Sequence, residues 1–286
     1  MSAAGAQVAP LPTTASLVRI APRTRWLSLD LREAWNYREL LYFFVWRDIK
    51  VRYKQTVIGA SWAILQPFLT MVVFTLFFGH LAKISSQGLP YPIFYLCALL
   101  PWTYFATALQ NASTIVVDQQ QVITKVYFPR IVLPFSAVTS PLVDFFIAFV
   151  MLGGMMIYYR VVPTIAIFWL PAFLLLAILT ALGVGLWLSA LNALYRDVRY
   201  VVPFLVNFWL FASPVAYSSA IVPERWRWLY GLNPMAGVIE GFRWSLTGHG
   251  QPPGPLLAAS TGAVLLVTFG GLIYYHAMEG TIADVV

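Results

Sequence analysis

RDIKVRYKQTVIGASWAILQP, residues Arg47 to Pro67, changes character half-way along. Its first half carries Arg47, Lys50, Arg52 and Lys54 against a single acid, Asp48. Its second half opens an apolar run that meets no ionisable side chain until His80 and Lys83. Basic residues just before a spanning helix hold that end at the cytoplasmic face, where anionic lipid and the insertion machinery favour Lys and Arg. The sidedness of every later segment follows from this boundary.

Composition points the same way. Of 286 residues, 60% are apolar and 10% charged, where a soluble domain averages about 25% charged. The sparse charges leave uncharged runs of about 20 residues or more, long enough to cross a bilayer as helices. A formal charge of +7 would suit nucleic acid, but the basic residues flank apolar runs, so they read as membrane anchors and no nucleic-acid partner is expected. The single cysteine, Cys97, excludes a disulfide within the chain. His80, His249 and His276 are too far apart for metal-ligand spacing, so no metal site is expected. Residues 1–25 open with Ala, Pro, Thr and Ser and read as a disordered tail rather than a signal peptide.

The pattern predicts an all-α integral membrane protein with six transmembrane helices. An interface helix, Leu31 to Trp46, lies in the basic region 26–57, with Trp35, Leu40, Phe43 and Phe44 on one face and Arg38 on the other. Spans are predicted at about 58–82, 92–115, 131–159, 165–194, 201–217 and 256–275, with a tail at 276–286. Pro67 is expected to kink the first span, and Pro134 and Pro141 interrupt the third. Ala181, Gly185 and Ser189 recur every four residues in the fourth, a spacing that lets helix backbones approach closely. With the N-terminus inside, thirteen of the 18 Lys and Arg fall on the inner segments. The outer ones hold only Lys83, Arg160, Arg225, Arg227 and Arg243, which is the expected bias.

Several stretches are candidates for function. Between spans five and six, residues 218–255 contain Trp226 and Trp228 and a helix, Met235 to Leu246, too short to span. Two short helices that dip into the outer leaflet and return fit this pattern. Glu240 and Arg243 can pair on one face, most simply for structure. Asp144, mid-span, is either functional or held by hydrogen bonds to Ser, Thr or backbone. The absence of a second acid, His or Lys in mid-span favours the structural role. Phe204, Phe208 and Phe211 share a face of the fifth span, and Phe74, Phe77 and Phe78 cluster in the first. They pack helices or line a corridor in which rings stack on sugars. No phosphate-binding glycine loop, H-E-x-x-H or G-x-S-x-G occurs, so ATP, if used, binds to another chain.

The opening run, with YFPRIVLP, LNALYRDVRYVVPF, SPVAY, LNPMAGVIEGFRWSLTG and MEGTIADVV in that order, resembles the type-2 ABC exporter permeases that export O-antigen and related polysaccharides (Wzm-like). The resemblance covers the chain from about residue 30 to the end. It implies a non-enzymatic subunit of the bacterial inner membrane, with both termini cytoplasmic. It implies a homodimer bound to two ATP-binding cassette subunits, which hold the ATP and Mg. Its substrate is then an undecaprenyl-linked glycan, moved from cytoplasm to periplasm. Coupling loops to the ATPase fall at Asp118, Lys125 and Arg130 and at Arg196, Asp197 and Arg199. The substrate entrance falls at Arg38, Arg47, Lys50 and Arg52. Related permeases carry teichoic acid or small hydrophobic drugs and are the alternative. A membrane enzyme would need clustered acids or a metal site, and a secondary transporter coupled intramembrane charges or a repeat.

Overall fold

The computed structural model describes residues 35–54, 59, 61–249 and 254–285. The predicted N-terminal tail, the start of the interface helix and the entry to the first span at 58 lie outside the described residues. Every regular element among the described residues is helical. In chain order they are α1 (Arg38–Lys54), α2 (Ser61–Phe74, continued by a π turn at Thr75–Leu81), α3 (Tyr91–Asp118) and the single turn α4 (Gln120–Ile123). The third span comprises α5 (Val132–Thr139) and α6 (Leu142–Tyr158). There follow α7 (Leu170–Leu194, entered through a 3-10 turn at Ile165–Trp169), α8 (Val198–Ala212), α9 (Glu224–Tyr230), α10 (Pro234–Thr247) and α11 (Pro255–Val285).

Five of these segments are long and apolar enough to cross a membrane: Ser61–Leu81, Tyr91–Asp118, Val132–Tyr158, Ile165–Leu194 and Pro255–Thr281. The sixth, α8, is a shorter apolar helix of 15 residues. At 1.5 Å per residue it reaches about 22 Å, less than the roughly 30 Å hydrocarbon core. The chain continues as buried non-helical backbone through Ser213, Pro214, Val215 and Ala216. The protein is thus an all-α membrane protein, with five long spans and one shorter apolar helix among the described residues.

α3 is the axis. Of its most apolar stretch 78% is buried inside the protein, against 22% to 33% for the other four. α7 packs along one side of α3, α11 packs on α7, and α10 fits between all three. α2 and α6 cover another side. The small-residue stripe explains the α3–α7 fit. Ala181 and Ser189 are fully buried, and a Cβ added at Gly185 would lie 2.7 Å from the Ala112 methyl. α7 meets α11 as closely, with a Cβ at Gly183 falling 2.8 Å from the Thr268 backbone.

The helix ends sort into two groups. α1, residues 119–131, residues 195–199 and the end of α11 share the basic end. Arg47 donates to Gln119 Oε1 at 2.8 Å, Asn192 Nδ2 to the Ser113 carbonyl at 2.9 Å, and the Tyr275 hydroxyl to the Arg130 carbonyl at 3.2 Å. The far end holds the links after α2 and α6 and the turns before α9 and after α10. There Gln87 donates to Ser218 at 2.6 Å, and Gly248, at φ 67°, brings Thr164 to 2.5 Å from where a Cβ would stand.

Helical structure continues through Pro67, and the register changes at the π turn from Thr75. Two expectations are corrected. The tail at 276–286 is not separate, because α11 continues to Val285. The four apolar residues assigned to one face of the interface helix are split. Phe44 and Leu40 pack inward with Tyr37 and Leu41, whereas Trp35 and Phe43 are exposed with Tyr42 and Trp46. Seven residues make almost two turns, so Trp35, Tyr42 and Trp46 align on one face and Phe44 falls opposite.

Gly185→Leu forces α7 off α3 and should cost about 1–3 kcal/mol, as overpacking does. Gly153→Ala, which has nothing within 4 Å, should leave the protein unchanged. Melting of the two variants in detergent measures this; equal stability would remove the close approach as a determinant of the fold.

Candidate functional site

At the basic end α1 lies on the 119–131 segment. Phe44 buries its ring against Phe128, with centroids 5.9 Å apart, and Arg47 sits over the Phe44 ring at 5.0 Å while pairing with Asp48 at 2.8 Å. Lys125, Val126 and Tyr127 project from this segment into the open. Arg130 does not. Its guanidinium donates to the Glu279 carbonyl and its backbone N–H to Glu279 Oε1 at 3.3 Å, so it anchors the loop to α11. Asp118, Arg196, Asp197 and Arg199 are exposed at the same end, with no side-chain hydrogen bond or ion pair among the described residues. The two expected coupling loops therefore lie on one end, but Arg130 serves structure there.

The four expected entrance residues separate likewise. Arg38 and Lys50 are exposed, and Arg47 is held by Asp48 and Gln119. Arg52 pairs with Asp144, and the Tyr53 hydroxyl donates to the same carboxylate. Asp144 is thus held in place, as the favoured structural reading expected, but by side chains on α1, more than 90 residues earlier, rather than by Ser, Thr or backbone. The ends favour the pair. Asp144 is in the first turn of α6, just after Pro141, and Arg52 is in the last turn of α1, where the helix dipoles favour an anion and a cation respectively. Burial, reinforced by the Asp144 carboxylate, pushes the Tyr53 phenol well above its ordinary range, so it remains a donor.

A cleft of about 420 Å³ surrounds this cluster, lined by Arg52, Trp62, Gln66, Thr103, Asn111 and Asp144 among others. A second, more open cleft of about 540 Å³ shares Arg52 and Asn111 with it and reaches Asp118. Thr103, Thr107, Asn111, Thr114 and Asp118 recur at three- and four-residue steps, which puts one polar stripe on α3 along both clefts. That spacing was readable in the sequence and was missed.

The aromatic candidates also divide. Phe204, Phe208 and Phe211 are 70%, 67% and 61% exposed on α8, and Phe77 is 58% exposed. Phe74, only 9% exposed, meets Tyr95 edge-on at 5.8 Å and belongs to the core, with Phe78 half-buried against it. At the far end Trp226 and Trp228 are exposed on α9, while Glu240 and Arg243 form the expected pair at 3.1 Å. Arg243 is fully buried. It lies 3.9 Å above the Phe94 ring and donates to the Pro214 carbonyl at 2.9 Å. Asn233 was missed. It caps α10, accepts from Trp209 at 2.9 Å, and donates to Ala212 and Ser213 where α8 ends. The Asn-Pro pair ahead of a helix is its sequence signal.

A family profile described as ABC-2 type transporter matches residues 39–247. This chain belongs to the ABC-2 type transporter family. Its match to the O-antigen export system permease protein RfbA of Myxococcus xanthus is 32% identical over 253 residues, covering 87% of this chain and 96% of that protein. An RfbA of Klebsiella pneumoniae is 27% identical, covering 76% of this chain and 84% of its own length. The polysialic acid transport protein KpsM of Escherichia coli is 24% identical, covering 82% and 91%. ABC-2 proteins of this kind are the transmembrane permease components of ABC transporters, and the ATPase is a separate subunit. The exposed loops at the basic end and the polar clefts have to be understood in a permease component whose ATPase is a separate subunit.

Arg52→Ala and Asp144→Ala each leave one half-buried charge without its partner and should cost about 1–3 kcal/mol. The double variant should lose less than the sum, with a coupling of roughly 1 kcal/mol or more. Unfolding of the four proteins in one detergent is the measurement; strict additivity would mean that the pair contributes nothing.

Proposed function

We propose that this chain is the permease subunit of an ATP-driven exporter for a lipid-linked polysaccharide. The observation that carries this is the near full-length match to an O-antigen export permease, 96% of that protein, with a polysialic acid transport protein matched almost as completely. The exposed rings of Phe204, Phe208, Phe211 and Phe77 support it. Flat aromatic faces hold sugars without demanding one sequence of them, as a pathway for a polymer requires.

In this reading two copies of the chain form the channel, and two ATP-binding cassette subunits dock at the basic end. Lys125 and the 195–199 loop take the thrust of ATP hydrolysis, with Mg-ATP held wholly by the partners. The basic end faces the cytoplasm, with both chain termini, and the glycan, linked to undecaprenyl, leaves toward the periplasm. Arg38 and Lys50, exposed on α1, attract the anionic lipid carrier.

Depletion of the protein tests the central claim. Full-length glycan should accumulate inside the cell while the surface becomes bare; a normal glycan coat would overturn the reading. Lys125→Glu should keep the protein folded but lower glycan-dependent ATP turnover, whereas Arg130→Glu, which sets a carboxylate against Glu279, should reduce the yield of folded protein. Since Cys97 is buried, cysteines at Ser85 and Arg196 report sidedness cleanly. Ser85 should label in intact cells and Arg196 only after lysis, and the reverse pattern would invert the orientation.

A further inference from the structure

The far end of the bundle encloses a cleft of about 330 Å³ that the pathway described above does not use. It lies between the link after α2, the 3-10 turn Ser219–Ile221, α9, α10 and the start of α11, and Gln87, Ser219, Ala220, Glu224, Trp228 and Glu240 line it. Its volume is at the lower end of small-molecule pockets, roughly 300–1,000 Å³.

One buried acceptor of this cleft lacks a donor, and a carboxylate oxygen lies open beside it. Gln87 Nε2 donates to Ser218 Oγ at 2.6 Å, and Gln87 Oε1 is buried without a partner. Turning the amide over would leave its nitrogen orphaned instead, so one polar atom is unsatisfied either way. Glu240 Oε1 accepts from the Ser219 N–H at 2.7 Å and from Arg243 at 3.1 Å, while Oε2 has no hydrogen-bond donor among the described residues. A buried orphan such as Gln87 Oε1 is rare enough to require a reason, and Glu240 Oε2 beside it is open to a donor.

The backbone is also forced. Lys83 and Gln87 have φ of 49° and 55°, in the left-handed region that non-glycine residues seldom enter. Strain of this kind persists where the surroundings hold it, and it gathers at ligand sites. At the rim, the 59% exposed Trp228 offers a flat ring. Unpaired acceptors beside an aromatic face suit a ligand with hydroxyl donors around its edge and an apolar C–H face. A pyranose ring has both. An anion is disfavoured, because two carboxylates, Glu224 and Glu240, line the cleft against Arg227, which itself pairs with Glu224 at 3.5 Å.

We propose that this cleft is a saccharide subsite for one neutral sugar residue of the glycan, on the far end of each subunit. It rests on the polysaccharide reading above. Gln87 and Glu240 accept from sugar hydroxyls, and Trp228 stacks on the ring. The subsite holds the emerging chain after it has passed the aromatic faces of α2 and α8.

The test uses the permease with its ATPase in nanodiscs, with one reporter cysteine at Ala220, which lines the cleft and is exposed. The probe is delipidated glycan from the producing strain, with dextran as the unrelated glycan. The strain's glycan should slow maleimide labelling of Ala220→Cys saturably. Labelling of Ser85→Cys, outside the cleft, should not change. Trp228→Ala should weaken this protection by roughly fivefold, the scale of one aromatic stacking contact, and Trp228→Phe should retain it. Unprotected labelling at Ala220, or protection unchanged by Trp228→Ala, would sink the subsite. If depletion still leaves the cell surface bare, that failure would leave the export reading standing.

Discussion

The fit of α7 against α3 sets the rest of the bundle. In a bilayer, lipid tails are as apolar as Leu, so no hydrophobic force drives one span onto another, and close packing has to do it. Glycine at 185 removes the atom that would otherwise meet Ala112, and Ala181 and Ser189 keep the stripe narrow above and below. Once the backbones are this close, Asn192 can reach the Ser113 carbonyl, which fixes the register along the axis. Gly183 and Gly271 then bring α11 onto the other side of α7 by the same means. α10 has a place to enter only because these three helices are already set.

That entry solves a second problem. α8 ends at Ala212, too soon to cross the apolar core, and its last carbonyls need partners where water is scarce. Asn233 supplies one of them. Its amide donates to the Ala212 carbonyl and the Ser213 hydroxyl while its oxygen caps α10 and takes the Trp209 N–H. Arg243 covers the next carbonyl, Pro214, and Glu240 balances its charge. The broken helix and the short helix after it are thus one unit. A fully buried arginine is tolerated because its charge has a carboxylate, a carbonyl and the Phe94 ring around it.

Sequence reasoning reached what depends on local pattern. Apolar runs marked the long spans, Pro141 marked the break between α5 and α6, though Pro134 lies within α5, and the four-residue stripe marked a close helix approach without naming its partner. It failed where the partner is remote. Nothing near Asp144 announces Arg52 and Tyr53, since the pairing exists only after α1 packs on α5 and its last turn meets the first turn of α6. Phe74 and Phe77 look alike in a row of aromatics, yet they point in different directions, and only the Tyr95 ring decides which is core. The interface helix misled for a different reason. It is apolar on two faces, one for the protein and one outward, so a single amphipathic face was too simple a description.

The position of the Asp144 pair suggests why an intramembrane charge is retained. The side chains of Arg52 and Asp144 are 32% and 28% exposed, in a cleft whose other walls are Thr, Asn and Gln side chains. A pair sealed in hydrocarbon could separate only by leaving two bare charges, at a cost of several kcal/mol each. Here hydroxyl and amide groups, and water admitted along the polar stripe, can solvate either partner. The clamp between α1 and α6 is therefore half-open to a polar cleft rather than sealed. α1 also carries Phe44 and Arg47 against the 119–131 segment, so one helix holds both that segment and Asp144. An apolar joint of equal strength would hold α1 as well, but it would have no polar groups to receive the two surfaces once they part.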